Sequence, residues 1–257
     1  MKVISLQSGS NGNCFYVETG DVRLLFDAGI SGKKAKQRLA EHGRNIEDVD
    51  ALFISHDHSD HVSSMGVYQR KFGMPIYITR QTLQQCYRSA KVGPIERVRF
   101  FRGGETILFD NTQVHTVPTA HDSVDGCAFV VEDSHSGQRV GILTDLGHVF
   151  DGLRDVLKSL DAVVIESNYD EGMLRFGPYP EHLKRRIRGR GGHLSNDDAA
   201  RLLAEHRSDR LKWACLCHLS EENNEPDIAR KTHEEILGHD VKIHVASRYT
   251  ASGIFEL

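Results

Sequence analysis

Val49-Asp50-Ala51-Leu52-Phe53-Ile54-Ser55-His56-Asp57-His58-Ser59-Asp60-His61 is the stretch that decides how this chain is read. Its first half, Val49 to Ile54, is a short apolar run of the kind that forms a buried strand. Its second half places four potential metal ligands, His56, His58, Asp60 and His61, within six positions. A loop anchored by a rigid strand can aim such a set at two adjacent cations. Imidazole suits zinc, iron, nickel or manganese, and a carboxylate adds charge and a harder donor. The bland alternative is a solvated loop that holds three histidines by chance, and histidine is too rare for that density to be casual.

Two metal ions in such a site lie about 3.5–4 Å apart and need about eight donor contacts, fewer where a group bridges them. Outside the cluster, three more residues follow apolar strands. His121 comes after Val117-Pro118-Thr119-Ala120, Asp145 after Val140-Gly141-Ile142-Leu143-Thr144, and His218 after Ala214-Cys215-Leu216-Cys217. All three positions fit a site collected at one sheet edge by loops on a stiff scaffold.

The surrounding sequence predicts one domain over residues 1–257, with no repeat, low-complexity tract or linker. With 39% hydrophobic and 26% charged residues, the chain has enough apolar material for a real core. No stretch approaches the ~20 apolar residues of a membrane span. The start, Met1-Lys2-Val3-Ile4-Ser5, lacks a signal-peptide apolar region, so no membrane association is expected and the cytoplasm is the expected compartment. The oligomeric state is left open. A net charge of −4 gives no overall attraction to nucleic acid, so a polyanion must be drawn by a local patch or by metals. The five cysteines show no zinc-finger spacing and are expected to be buried, reduced thiols.

Strands are expected at Val3–Leu6, Cys14–Glu18 and Val22–Phe26, separated by Gly and Asn turns. Further strands are expected at 49–54, 76–78, 106–109, 113–117, 127–131, 139–143, 162–165, 213–217 and 241–245. Helices are expected from a Ser31 cap through Glu41, over 64–72, 79–90, 153–160, 181–187 and 227–237, and from a Ser195 cap with Asp198 three residues on.

Taken with Asp27 in Phe26-Asp27-Ala28-Gly29, the ordered ligand set resembles the metallo-β-lactamase-fold hydrolases along nearly the whole chain. That resemblance implies an α/β (α+β) fold, a four-layer αββα sandwich with two facing sheets. It implies that His56, His58 and His121 hold one metal, that Asp60, His61 and His218 hold the other, that Asp145 bridges, and that Asp27 props the loop. The cofactor is expected to be two divalent ions, manganese or zinc, with iron also compatible.

The same fold hosts lactam, thioester, lactone and phosphodiester hydrolysis. More specific segments resemble the YycJ (WalJ) type of bacterial exonuclease. These are Ser8-Gly9-Ser10-Asn11-Gly12-Asn13, Ser31-Gly32-Lys33-Lys34, Glu166-Ser167-Asn168-Tyr169-Asp170, Gly177-Pro178-Tyr179-Pro180, Gly192-His193-Leu194-Ser195-Asn196 and His218-Leu219-Ser220-Glu221-Glu222-Asn223-Asn224. One departure is His148, where tyrosine is expected. The resemblance implies a 5′-to-3′ exonuclease with DNA as its partner, acting through a metal-bridging hydroxide.

The residues add their own support for a phosphodiester. Lys184, Arg185, Arg186, Arg188 and Arg190 put five cations within seven positions, just before a glycine pair and a helix start. Free N–H groups at such a start favour an anion, although a charge run is also the ordinary look of a solvated helix face. Asp60 is expected to ligate a metal and orient the nucleophile. His193 is the candidate general acid, with His182 as competitor. Ser10, Asn13, Asn168 and Ser195 are candidate substrate contacts, Ser195 doubling as a helix cap. Two other readings stand beside the exonuclease: a small or cyclic phosphodiesterase with the same metals, and a non-catalytic nucleic-acid-binding protein with a vestigial site. The intact set of seven ligand candidates argues against the second.

Overall fold

Glycine and asparagine turns break the first 26 residues into β1 (Lys2–Gln7), β2 (Cys14–Thr19) and β3 (Val22–Phe26), an antiparallel run. The chain then crosses over through α1 (Gly32–Ala40) to β4 (Ala51–Phe53), which pairs in parallel with β3. Ser31 caps α1 by accepting from the Lys34 N–H, as its sequence position predicts. The helices α2 (Ser59–Val62) and α3 (Met65–Phe72) lead to β5 (Ile76–Ile78), and α4 (Arg80–Ser89) leads to β6 (Val98–Phe100). Both strands extend the parallel half of the sheet.

A second sheet begins with the antiparallel strands β7 (Thr106–Phe109), β8 (Thr112–Pro118), β9 (Cys127–Asp133) and β10 (Arg139–Leu143). After α5 (Asp151–Leu157) comes β11 (Ala162–Glu166). The helices α6 (Glu171–Phe176), α7 (Glu181–Arg188) and α8 (Asn196–His206) precede β12 (Trp213–Cys217), and α9 (Pro226–Leu237) precedes β13 (Lys242–Val245). The last strand, β14 (Phe255–Glu256), returns to pair with β1. The computed structural model describes residues 1–257. Its two seven-stranded sheets run β14-β1-β2-β3-β4-β5-β6 and β13-β12-β11-β10-β9-β8-β7.

Period-two side-chain alternation divides each strand between two cores. In β4, Ala51 and Phe53 enter the layer between the sheets, while Leu52 and the following Ile54 face the helices of the first sheet. In β11, Ala162 and Val164 face inward, and Val163 and Ile165 pack under the helices of the second sheet. These strands therefore read as unbroken apolar runs, because both faces are covered. The result is a four-layer αββα sandwich. Phe26, Phe53 and Phe129 meet at its centre with ring centroids 5.2–5.5 Å apart.

The strand expected over 49–54 is hydrogen-bonded only at Ala51–Phe53. Four of these elements, α2, β6, α6 and β14, lie outside the sequence expectations, as does a 3-10 turn at Ile46–Asp48. All five cysteines are buried and unpaired, and burial pushes the thiols of Cys14, Cys86, Cys127 and Cys215 up to about 12. No helix is long and apolar enough to cross a membrane.

Candidate metal centre

β3, β4, β8, β10, β11 and β12 all deliver their C-terminal ends to one edge of the sandwich, and a polar residue follows each within two positions. This is the edge where open α/β sheets bind ligands. Asp27 follows β3 with φ of 63°, Asp145 follows β10 with φ of 54°, and His218 follows β12 with φ of 54°. Non-glycine residues rarely take this left-handed conformation, and such strain gathers at functional sites.

The metal loop is fixed before it reaches any ligand. The Ser55 N–H and hydroxyl donate to Asp27 at 2.8–2.9 Å, and His61 Nδ1 lies 2.7 Å from Asp27 Oδ2. The Asn13 N–H donates to the Asp60 carbonyl and the Ala28 N–H to the His61 carbonyl. Gly29 is required here, since a Cβ would sit 1.7 Å from the Asp60 carbonyl oxygen. Asp57, the one carboxylate of the motif that joins no ligand group, accepts from the Val124 N–H at 2.8 Å. It thereby ties this loop to the one that carries His121.

Four overlapping groups of nitrogen and carboxylate atoms converge, each spanning no more than 4.8 Å. They are His56, His58 and His121; His56, His61 and Asp145; Asp60, His61 and His218; and His121, Asp145 and His193. Asp145 sits between the two outer triads, with Oδ2 3.2 Å from His61 Nε2 and Oδ1 3.5 Å from His218 Nε2 and 3.7 Å from His121 Nε2. Asp60 Oδ2 lies 3.2 Å from His218 Nε2.

These residues fit divalent cations. His56 Nε2 is buried and has no hydrogen-bond partner, which is costly unless something else coordinates it. His61 Nδ1 faces a carboxylate and His121 Nδ1 faces the Gly192 carbonyl at 2.8 Å, so in the neutral ring each Nε2 is the nitrogen left to present a lone pair to a cation. The charge balance agrees. Burial alone would deprotonate His61, but Asp145, Asp27 and Asp60 hold its imidazole well above the ordinary value. Burial likewise opposes ionisation of Asp145, and His218 and His61 overcome it, keeping the carboxyl well below its usual range. Such a ring of carboxylates draws positive charge into the pocket, whether a proton or a metal ion.

Over these groups opens a cleft of about 280 Å³ whose outer wall includes Ser10, Tyr179, Leu183 and Arg186. His193 borders it, with Nδ1 3.1 Å from the fully buried Glu166 Oε2. Glu166 also accepts from the Leu146 and Leu194 N–H groups and so fixes both flanks of the site. Sequence reasoning passed over Glu166, although it ends an apolar strand just as Asp145 and His218 do. It also passed over Asp122, which accepts both nitrogens of Arg186 at 2.6 and 3.2 Å.

The structure gives several of the expected residues partners of their own and places some of them away from the cleft. Asn13 is fully buried behind the site, donating to Asp60 Oδ2 at 3.2 Å, and does not line the cleft. Ser195 is a helix cap whose hydroxyl is engaged by Asp198, and it too is absent from the cleft wall. Asn168 does border the cleft, but its amide donates to the His218 carbonyl at 2.7 Å and braces that residue. His182 is exposed on α7 and does not border the cleft. His148 pairs with Arg190 away from it. The cation run is mostly neutralised within the molecule, through Lys184–Glu181, Arg186–Asp122 and Arg188–Glu171. The glycine pair before His193 offers its Gly192 carbonyl to His121, and the Gly192 N–H donates to the Gly189 carbonyl.

The chain belongs to the metallo-beta-lactamase superfamily, whose family model matches residues 8–157, and the arrangement at its sheet edge is that of a metal-dependent hydrolase. Within that class it is 37% identical to the exodeoxyribonuclease WalJ of Streptococcus pneumoniae, over 98% of this chain and 96% of the relative. It is 35% identical to the exodeoxyribonuclease YycJ of Bacillus anthracis, over 90% of this chain and 87% of that protein. Among solved structures, the metallo-beta-lactamase fold protein YhfI of Bacillus subtilis superposes with a TM-score of 0.74 at 17% identity, covering 99% of this chain and 98% of the other.

Proposed function

We propose that this protein is a two-metal-dependent 5′-to-3′ DNA exonuclease. One observation carries the reading. Seven side chains from four separate segments converge at one sheet edge, in a chain that aligns almost end to end with two exodeoxyribonucleases. In this reading His56, His58 and His121 would hold one ion, Asp60, His61 and His218 would hold the second, and Asp145 would be available to both. Manganese or zinc, and iron as well, match this mixture of imidazole and carboxylate donors. Bound there, the ions supply Lewis acidity toward phosphate oxygens and lower the pKa of water to near neutrality.

The remaining work falls to the protein's own groups. Asp60, held by Asn13 and His218, directs one carboxylate oxygen at the reacting centre. His193 keeps Nδ1 on Glu166, which leaves Nε2 as the proton donor to the departing 3′ oxygen. Arg186 carries a guanidinium on the cleft wall, where its charge complements a phosphate. Ser10 borders the same mouth and is the candidate hydroxyl contact.

The test uses metal-stripped protein reloaded with each ion in turn and duplex DNA labelled at either the 5′ or the 3′ end. Mononucleotides released first from the 5′ end, in a reaction abolished by a chelator, are the expected result. Turnover of cyclic or chromogenic phosphodiesters with no shortening of DNA would sink the exonuclease assignment.

A further inference from the structure

We infer that the face formed by α3, α4 and the open edge at β6 is a second nucleic-acid contact, which grips the substrate strand beyond the metal cleft. The inference rests on the exonuclease reading for the identity of the strand. Residues 65–104 hold eight lysines and arginines against a single acid, Glu96, in a chain whose totals are 32 and 36. All eight are exposed, and none lies within 4 Å of a carboxylate. The cations of α7, by contrast, are largely paired. A concentrated, unpaired patch on a net-negative protein is an electrostatic footprint for a polyanion.

Aromatic side chains interrupt this patch. Phe100 is 43% exposed and Tyr87 51% exposed. The Arg80 guanidinium lies 4.1 Å over the Phe100 ring. Arg80 opens α4, where a cation opposes the helix dipole, so its position does not serve the helix. Arginine and an aromatic ring side by side form the pairing that stacks nucleobases and follows a phosphate backbone. They open onto a groove of about 680 Å³ that Arg102, Glu105 and Asp125 also line.

The groove is joined to the metal centre by one loop. Residues 119–126 carry His121 on the centre's side and Asp125 on the groove's side, and Thr82 of α4 donates to the Val124 carbonyl at 2.8 Å. A strand leaving the cleft across this loop reaches Arg80, Phe100 and Arg102.

The experiment measures binding of a fluorescein-labelled 20-nucleotide strand to metal-free protein across a salt series. Replacing Arg80, Arg99 and Arg102 together by serine should reduce the log–log salt slope by about 2. Phe100→Ala should weaken binding on the order of tenfold, and should not weaken binding of an abasic strand. With metal restored, KM on long DNA should rise on the order of tenfold, while turnover of bis(p-nitrophenyl) phosphate stays unchanged. Unaltered slopes in the triple variant, or equal losses on the chromogenic ester, would overturn the inference. So would a wild-type preference for polyglutamate over the strand, which would mark a protein-binding face. If wild type cuts no DNA with any metal, the exonuclease reading falls, yet patch-dependent strand binding would still uphold this contact.

Discussion

Asp27 and His61 form a fully buried pair, with carboxylate oxygen and ring nitrogen 2.7 Å apart, and this contact determines which nitrogen of His61 faces the site. Asp27 also receives the Ser55 N–H, so one side chain sets both the course of the loop and the tautomer of a ligand.

Asp27→Asn keeps the shape but presents an amide nitrogen where a carboxylate accepted. Metal affinity should fall by about 10- to 100-fold, the usual effect of losing a ligand's orienting partner. Competition against a chromogenic chelator reads this directly. Affinity equal to wild type, with His61 intact, would show that the tautomer is set elsewhere.

Asp145→Ala removes the carboxylate that approaches both triads. Its cost should exceed the ~100-fold expected for an outer partner, and bound metal should drop below two ions per chain by elemental analysis. Unchanged rates in a folded variant would take Asp145 out of the mechanism.

His193→Ala should reduce kcat on DNA by about 10²- to 10⁴-fold, the range for a lost general acid. The loss should nearly vanish with p-nitrophenyl esters, whose leaving group departs without a proton. Equal losses on both substrates would assign His193 to the ligand group it forms with His121 and Asp145.

His233 gives a pH dependence independent of the centre. Burial pushes its pKa down to about 4, against the contrary pull of the Ala229 carbonyl. The unfolded chain takes up this proton near 6.5, and the folded protein resists until about 4. Stability should therefore be unaffected above the unfolded value and should decline by up to about 3 kcal/mol as pH falls through that window. Urea midpoints at pH 7 and pH 5, compared with His233→Leu, test this. The variant should lose less stability on acidification, and parallel declines would remove His233 as the source.

Much of this architecture can be read before folding. Buried strands such as Ala162–Glu166 are announced by continuous apolar runs, and the ligands are marked by their place at the ends of such runs. β6 is harder to see because Arg99 and Phe100 project outward on an open edge, so only Val98 contributes to the pattern. β14 has two residues, too few to show any period. Within the site, residue type shows which groups can act but not where they point. A glycine-rich loop makes Asn13 a candidate for the cleft mouth, and a helix start makes Ser195 both a cap and a candidate phosphate contact. Their side chains turn instead to Asp60 and Asp198. The part played by Gly192 is a backbone carbonyl's, which residue identity does not reveal. Glycine itself is dictated there, since a Cβ would meet the Ile187 carbonyl at 2.0 Å.

The left-handed backbone at Asp27, Asp145 and His218 sets evolution and engineering at odds. Each such position costs on the order of 1 kcal/mol or more, and glycine would relax all three at once. That exchange would trade backbone strain for lost anchoring, since Asp27→Gly would leave the buried Ser55 N–H and His61 Nδ1 without their acceptor, so the strain persists where the side chain builds the site.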